Sequence, residues 1–134
     1  MLHKQNIKKL WVSPLFKKMT PTQYAKKAER RAIELRIEKK PYCYSCGAMA
    51  VTAHHHIPKS LSNFLRCDER NLVPICVDCH FAHHKRGDPD IQRRYEKQMA
   101  AEFGNNWHED LQMDRRNFIH NTVGYWKKII ENLK

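Results

Sequence analysis

Two Cys-x-x-Cys pairs, Cys43-Tyr-Ser-Cys46-Gly47 and Cys76-Val-Asp-Cys79, stand out in a 134-residue chain with five cysteines. A Cys-x-x-Cys turn aims two thiolates at one point, and two such turns complete the tetrahedral sulfur cage that structural zinc prefers. One structural Zn²⁺ per chain, held by Cys43, Cys46, Cys76 and Cys79, is the expected cofactor. The 29 residues between the pairs exceed the usual ribbon spacing, so a segment is inserted between the two knuckles. A redox Cys-x-x-Cys would need a thioredoxin-like βαβ context that this sequence lacks. An odd cysteine count in a reducing compartment fits metal ligation better than a disulfide framework. Cys67 stands alone and reads as an ordinary small buried or half-buried residue.

Six of the nine histidines fall between positions 54 and 84, namely His54, His55 and His56, then His80, His83 and His84. The stretch from Met49 to Pro58 has a β-favouring beginning and a proline end, as expected of a short strand carrying the three histidines to its tip. Successive strand residues face opposite sides, so neighbouring histidines can do different work, one holding a metal and the other facing a substrate. After Cys79 a helix is expected, and residues four apart share a helix face, so His80 and His84 can grip one cation. His83, three apart from His80, competes with His84 for that place. Imidazoles suit transition metals, while open positions filled by water and phosphate oxygens also admit Mg²⁺ or Mn²⁺. A zincin requires glutamate after the first helical histidine, where this chain has Phe81. A zinc deaminase requires Pro-Cys-x-x-Cys, whereas Ile75 precedes Cys76, and no His-x-Glu lies upstream of the cysteines.

The elements that position these groups are legible in outline. Residues 1–40 read as a basic arm and a helix belonging to the same domain as the rest. In the arm, Trp11, Leu15 and Phe16 are candidate anchors. The helix starts where Thr20 caps, Pro21 takes the first position and Gln23 closes a capping box; it runs to about Lys39 and stops at Pro41. Tyr24, Ala28, Leu35, Ile33 and Ile37 are its expected apolar stripe, with Lys26, Lys27, Arg30 and Arg31 on its surface. Residues 41–90 hold the metal-binding core, closed by the turn Gly87-Asp88-Pro89-Asp90. Residues 91–134 read as a helical extension of two helices, one over about 91–103 and a longer one over about 109–133. The longer one is expected to align Leu111, Phe118, Thr122, Tyr125, Ile129 and Leu133 near one face.

Charge separates along the chain. The net charge of +11 divides into +9 over residues 1–40, 0 over 41–90 and +2 over 91–134. Clustered positive charge is what a polyanion-binding protein needs, because each phosphate neutralised releases condensed counterions. Four thiolates on Zn²⁺ leave about −2, so affinity for a polyanion must come from the flanks. Candidate DNA contacts are Lys26, Lys27, Arg30 and Arg31, with Lys85 and Arg86 beside the histidines. No apolar run spans a membrane and no signal peptide is visible, so a cytoplasmic location is expected.

These residues resemble the HNH nucleases, in which a histidine-bearing hairpin and a short helix enclose one metal ion. In that family the general-base histidine sits three residues before a proline, and an Asn-Leu-x-Pro-x-Cys-x-x-Cys-His run follows. Here His55 precedes Pro58 by three, and Asn71-Leu-Val-Pro-Ile-Cys-Val-Asp-Cys-His80 follows. The resemblance implies an α+β, mostly helical fold: a zinc-stapled ββα-metal core flanked by an N-terminal basic helix and two C-terminal helices. It implies a divalent catalytic metal held by His54, His80 and His84, with His83 as the alternative to His84. Mg²⁺ or Mn²⁺ is the expected ion, and Zn²⁺ or Ni²⁺ an alternative occupant. It makes His55 the base and Asn71 the residue that fixes the hairpin and helps orient that base.

Over roughly residues 40–130 the chain is also similar to the phage lambda NinG (Rap) recombination endonucleases. Cys43 to Gly47, His55 sixteen residues before Asn71 in an Arg-x-x-Glu-Arg-Asn segment, Cys76 to Cys79 and His84 to Gly87 carry that likeness. The chain departs from it in the triple histidine and in two extra residues before His84. What the likeness implies is a phage endonuclease in a bacterial host that nicks or resolves branched DNA, such as Holliday junctions and D-loops. A homodimer would suit cutting two symmetric strands. The rival readings are an HNH nuclease of the restriction, homing or packaging type acting on ordinary duplex, and a non-catalytic zinc-knuckle DNA-binding module.

Overall fold

Thr20 opens the first helix by reciprocal capping. Its Oγ1 accepts the Gln23 amide at 3.2 Å, and Gln23 Oε1 accepts the Thr20 amide at 2.8 Å. The computed structural model of the chain describes residues 18–133; the anchors Trp11, Leu15 and Phe16 lie outside the described residues. In order the elements are α1 (Pro21–Lys39), β1 (Thr52–His55), a 3₁₀ turn (Glu69–Asn71), β2 (Leu72–Ile75), α2 (Val77–Lys85), α3 (Pro89–Phe103), α4 (Trp107–Asp114) and α5 (Val123–Asn132). Among the described residues there are thus five α-helices and one small sheet. None among the described residues is long and apolar enough to cross a membrane.

β1 and β2 pair antiparallel with Thr52 opposite Ile75, Ala53 opposite Pro74, His54 opposite Val73 and His55 opposite Leu72. Pro74 gives no amide to a ladder, which a two-stranded sheet tolerates, and its carbonyl accepts the Tyr44 amide at 2.9 Å. That bond ties the first cysteine knuckle to β2. α2 begins directly after the strand because Cys76 is its N-cap, the sulfur accepting the Cys79 amide. The helix therefore starts at Val77, three residues ahead of the expected start at His80. Asp88 caps α3 in the turn after Gly87, whose φ of +62° is the left-handed conformation glycine favours.

The principal core joins Ile57, Leu65, Val73 and Ile75 from the hairpin to Ile91, Tyr95 and Met99 of α3 and Trp107 and Leu111 of α4. α1 packs through small residues. Ala25, Ala28 and Ala32 are buried, Trp126 of α5 lies against the first two, and Ala32 meets Ala53 and Leu72. The buried stripe is therefore Ala25, Ala28, Ala32 and Arg36 rather than one centred on Tyr24, Ala28 and Leu35. The physical reason is room: a helix can approach Trp126 and the sheet this closely only where its side chains are short.

The expected single helix over 109–133 is two helices, making three after the core rather than two. Asn117 closes a turn onto the Asp114 carbonyl at 3.0 Å, and Thr122 starts α5 afresh by accepting the Tyr125 amide at 3.1 Å. Trp126 Nε1 donates to Asn121 Oδ1 at 2.6 Å, holding the break in place. Phe118, counted on the apolar face of the expected helix, lies in this break and is 82% exposed.

Candidate active site

The four cysteines converge. One sulfur from each of Cys43, Cys46, Cys76 and Cys79 lies within 4.8 Å of all the others, and Cys46 Sγ and Cys76 Sγ are 3.5 Å apart. Sulfurs about 2.3 Å from a tetrahedral zinc stand about 3.8 Å from one another, so this donor set fits that ion. Gly47, with φ of +80°, turns the first knuckle and donates to the Cys43 carbonyl at 2.9 Å. Burial pushes the Cys79 thiol up to about 12. At Cys43 burial acts in the same direction, but backbone hydrogen bonds outweigh it and bring the thiol down to about 7. Four thiols this close cannot all ionise without a cation among them, which is the condition a structural metal satisfies.

A second convergence lies at the tip of the hairpin. His54 on β1 and His80 and His84 on α2 each offer a ring nitrogen within 4.8 Å of the other two, and His84 Nε2 is 3.2 Å from His54 Nδ1. The strand brings one ligand and one helical face brings two. His54 is 8% exposed, and burial, followed by repulsion from His83, His84 and His80, lowers it to about 3. Burial likewise lowers His80, with His84 and His83 adding to it. Rings held neutral in this way keep their lone pairs for a metal. Three ring nitrogens leave coordination positions open, the pattern of a catalytic rather than a structural site. His83 is not in this group of converging nitrogens, although its ring centroid is 4.9 Å from that of His54, as near as that of His84.

His55 faces away from His54, as strand alternation requires. Its Nε2 lies 2.9 Å from the Arg66 carbonyl and 3.5 Å from Glu29 Oε1 on α1, and its side chain is 15% exposed. A carbonyl only accepts, so Nε2 carries the proton and the lone pair sits on Nδ1. Burial lowers this ring, with the Arg66 carbonyl and Glu29 pulling it back up. Glu29 is a neighbour that sequence reasoning missed: it lies far upstream, on a helix read for its cap, its apolar stripe and its cations but not for its carboxylates. The same carboxylate binds Arg66 at 3.3 Å and Lys59 at 3.2 Å.

Asn71 is wholly buried and fastens the loop that ends β1. Its Oδ1 accepts the Ile57 amide at 2.7 Å, and its Nδ2 donates to the carbonyls of Ile57 at 2.9 Å and Leu65 at 3.3 Å. His56 makes a different network. Its Nδ1 meets the Tyr95 hydroxyl at 2.8 Å, its Nε2 meets His108 Nδ1 at 2.9 Å, and its ring lies against Trp107 with centroids 4.5 Å apart. Burial, then His108 and His83, lower His56 to about 4. With both ring nitrogens engaged, His56 has no lone pair to spare. Its partner His108 carried no sequence signal, since it stands alone 52 positions downstream.

The predicted DNA contacts are all exposed. Lys26, Lys27, Arg30 and Arg31 lie on the outer surface of α1, where Arg31 meets Glu34 at 3.4 Å. Lys85 and Arg86 end α2, the Arg86 guanidinium lying over the Phe81 ring at 5.4 Å.

The family model described as HNH endonuclease matches residues 41–86, the stretch that holds both knuckles, the hairpin and the histidine helix. No curated protein and no solved structure matches the chain. The two-stranded hairpin followed by α2, with its cysteine cluster, agrees with the ββα-metal fold of that family. The match points to metal-dependent nuclease chemistry in general and to DNA as the partner.

Proposed function

We propose that the chain is a metal-dependent DNA endonuclease that hydrolyses phosphodiester bonds, with His54, His80 and His84 as the ligands of the catalytic ion. The single observation that carries this reading is the convergence of those three imidazoles inside the HNH-matched segment. Mg²⁺ or Mn²⁺ bound there would offset the charge that develops on phosphate oxygens. Cys43, Cys46, Cys76 and Cys79 hold a structural Zn²⁺ that fixes the hairpin against α2.

His55 is the base. Its Nδ1 takes a proton from the attacking water, and its Nε2–H stays on the Arg66 carbonyl while Glu29 stabilises the imidazolium. The arrangement has the logic of a base oriented by a backbone acceptor and steadied by a carboxylate. Asn71 is a positioning residue that holds the strand end. Lys85 and Arg86 neutralise phosphate beside the histidines, and Lys26, Lys27, Arg30 and Arg31 bind the backbone farther out, without sequence selectivity. The substrate on this reading is branched DNA, on the likeness to recombination endonucleases.

Nicking of supercoiled plasmid by zinc-loaded protein in Mg²⁺ and in Mn²⁺ tests the reaction, and a four-way junction compared with linear duplex of the same sequence tests the substrate. The expected result is metal-dependent nicking that His84→Ala abolishes, with the junction cut faster. Plasmid binding without nicking in either ion would instead assign the chain to the non-catalytic zinc-knuckle modules. Equal rates on junction and duplex would remove the branched substrate and keep the nuclease.

A further inference from the structure

The 115–122 break and the loop that follows β1 together form a groove of about 310 Å³, at the lower end of ligand-sized clefts. Its lining includes Lys59, Arg115 and Arg116, the amide side chains of Asn63 and Asn117, and the rings of Phe64 and Phe118, and contains no carboxylate. Phe118 is 82% exposed and Phe64 is 36% exposed. The Phe118 ring meets His120 edge-on at 5.3 Å. A large aromatic ring left in water costs free energy that nothing among the described residues offsets, so its surroundings decide what it is for. Here they are cationic and hydrogen-bonding. An aromatic face set among arginines and lysines is the makeup of a platform for unpaired nucleotides, whose bases stack while their phosphates meet the cations.

We infer that this groove seats unpaired nucleotides of the DNA substrate, with Phe118 as the stacking platform and Arg115 and Arg116 as phosphate contacts. The groove lies close to the proposed base: Lys59 in its wall is 3.2 Å from Glu29 Oε1, the atom 3.5 Å from His55 Nε2. Bases in an intact duplex are already stacked on each other and offer no free face to Phe118. The groove thereby favours DNA that presents single-stranded or displaced bases near the cut, which deepens the nuclease reading and rests on it.

The test compares wild type, Phe118→Ala and the double variant Arg115→Gln/Arg116→Gln as zinc-loaded full-length chains. Anisotropy of labelled short oligothymidylate and of a labelled short duplex, in Ca²⁺ and over a range of salt, gives the affinities; plasmid nicking is assayed beside them. Phe118 is exposed, so its removal is expected to leave the circular dichroism and melting point unchanged. The expected result is that Phe118→Ala weakens oligothymidylate binding about tenfold and duplex binding less than about twofold. The double arginine variant is expected to flatten the salt dependence on oligothymidylate by about 0.7 for each arginine. Unchanged oligothymidylate affinity in Phe118→Ala, or equal loss on both DNAs, would overturn the inference; if wild type still nicks plasmid, the nuclease reading survives it. A wild type that neither nicks plasmid nor binds either DNA would sink both. Dissociation of a wild-type dimer by Phe118→Asp, with DNA affinity unaltered, would assign the patch to a second copy of the chain and overturn the inference.

Discussion

His55 and His56 are adjacent in sequence and opposite in prospect. One keeps a lone pair on Nδ1 because its Nε2 is committed to the Arg66 carbonyl, and the other has both nitrogens bound, to Tyr95 and His108. His55→Ala should therefore lower the nicking rate by about 10²- to 10⁴-fold, the usual worth of a general base, without loss of metal. His56→Ala is expected to lower thermal stability more than rate, since it opens a gap against Trp107 and Tyr95. Rates and melting points of the two variants, measured side by side, check this; a larger rate loss in His56→Ala would reverse the assignment. Asn71 is a third residue whose role is local. Asn71→Ala leaves the amide and carbonyl of Ile57 without their partner, while the Leu65 carbonyl keeps the Asp68 amide at 3.2 Å; the loss should cost on the order of 3 kcal/mol in denaturant unfolding.

At the scale of elements, a buried clamp joins parts that are distant in sequence. Arg36 on α1 has no side-chain exposure and donates to the Leu72 carbonyl on β2 at 2.8 Å and to both carboxylate oxygens of Glu102 on α3 at 2.8 and 2.6 Å. Tyr44 of the first knuckle donates its hydroxyl to the same carboxylate at 2.6 Å. Replacing Arg36 by methionine strands Glu102 and should cost about 3–5 kcal/mol. Burial pushes Glu102 upward, but Arg36 and Tyr44 prevail and hold it below its ordinary 4.5. A carboxyl depressed on folding contributes stability that is complete above its unfolded value and is lost as pH falls through its folded one. The stability gap between wild type and Glu102→Gln should accordingly narrow as pH drops below about 4.5; a gap constant with pH would contradict the clamp.

The same scale shows what the sequence could and could not reveal. The Thr20 capping box, the two knuckles and the helical spacing of His80 and His84 are local patterns, and the structure brings their members together. Arg36 with Glu102, Glu29 with His55 and His56 with His108 are pairs separated by tens of residues, for which one sequence carries no signal. The break at 115–122 was hidden for another reason: Phe118 and Thr122 fell on a helical period by chance, while the capping function of Thr122 pointed the other way. A pattern of apolar spacing cannot distinguish a buried aromatic from one that a ligand covers.

For the whole molecule, charge and metal set the behaviour. On the proposed reading, a neutral central segment beside cationic flanks should make DNA affinity an electrostatic property of α1 and the helix ends, steep in salt and indifferent to sequence. Exchanging Lys27 and Arg31 for glutamine should lower the slope of log affinity against log salt on duplex DNA by up to about 1.8; an unchanged slope would place the phosphate contacts elsewhere. Zinc removal should melt the hairpin, since Cys43, Cys46, Cys76 and Cys79, gathered on one ion, would tie its two ends to α2. The most direct test of the central claim is titration of Mn²⁺ into zinc-loaded protein, followed by loss of the free-ion electron paramagnetic resonance signal. The expected result is one Mn²⁺ site per chain in wild type, and its disappearance in His54→Ala and His84→Ala with the zinc content unchanged. A site that persists in both variants, or that wild type lacks, would contradict it.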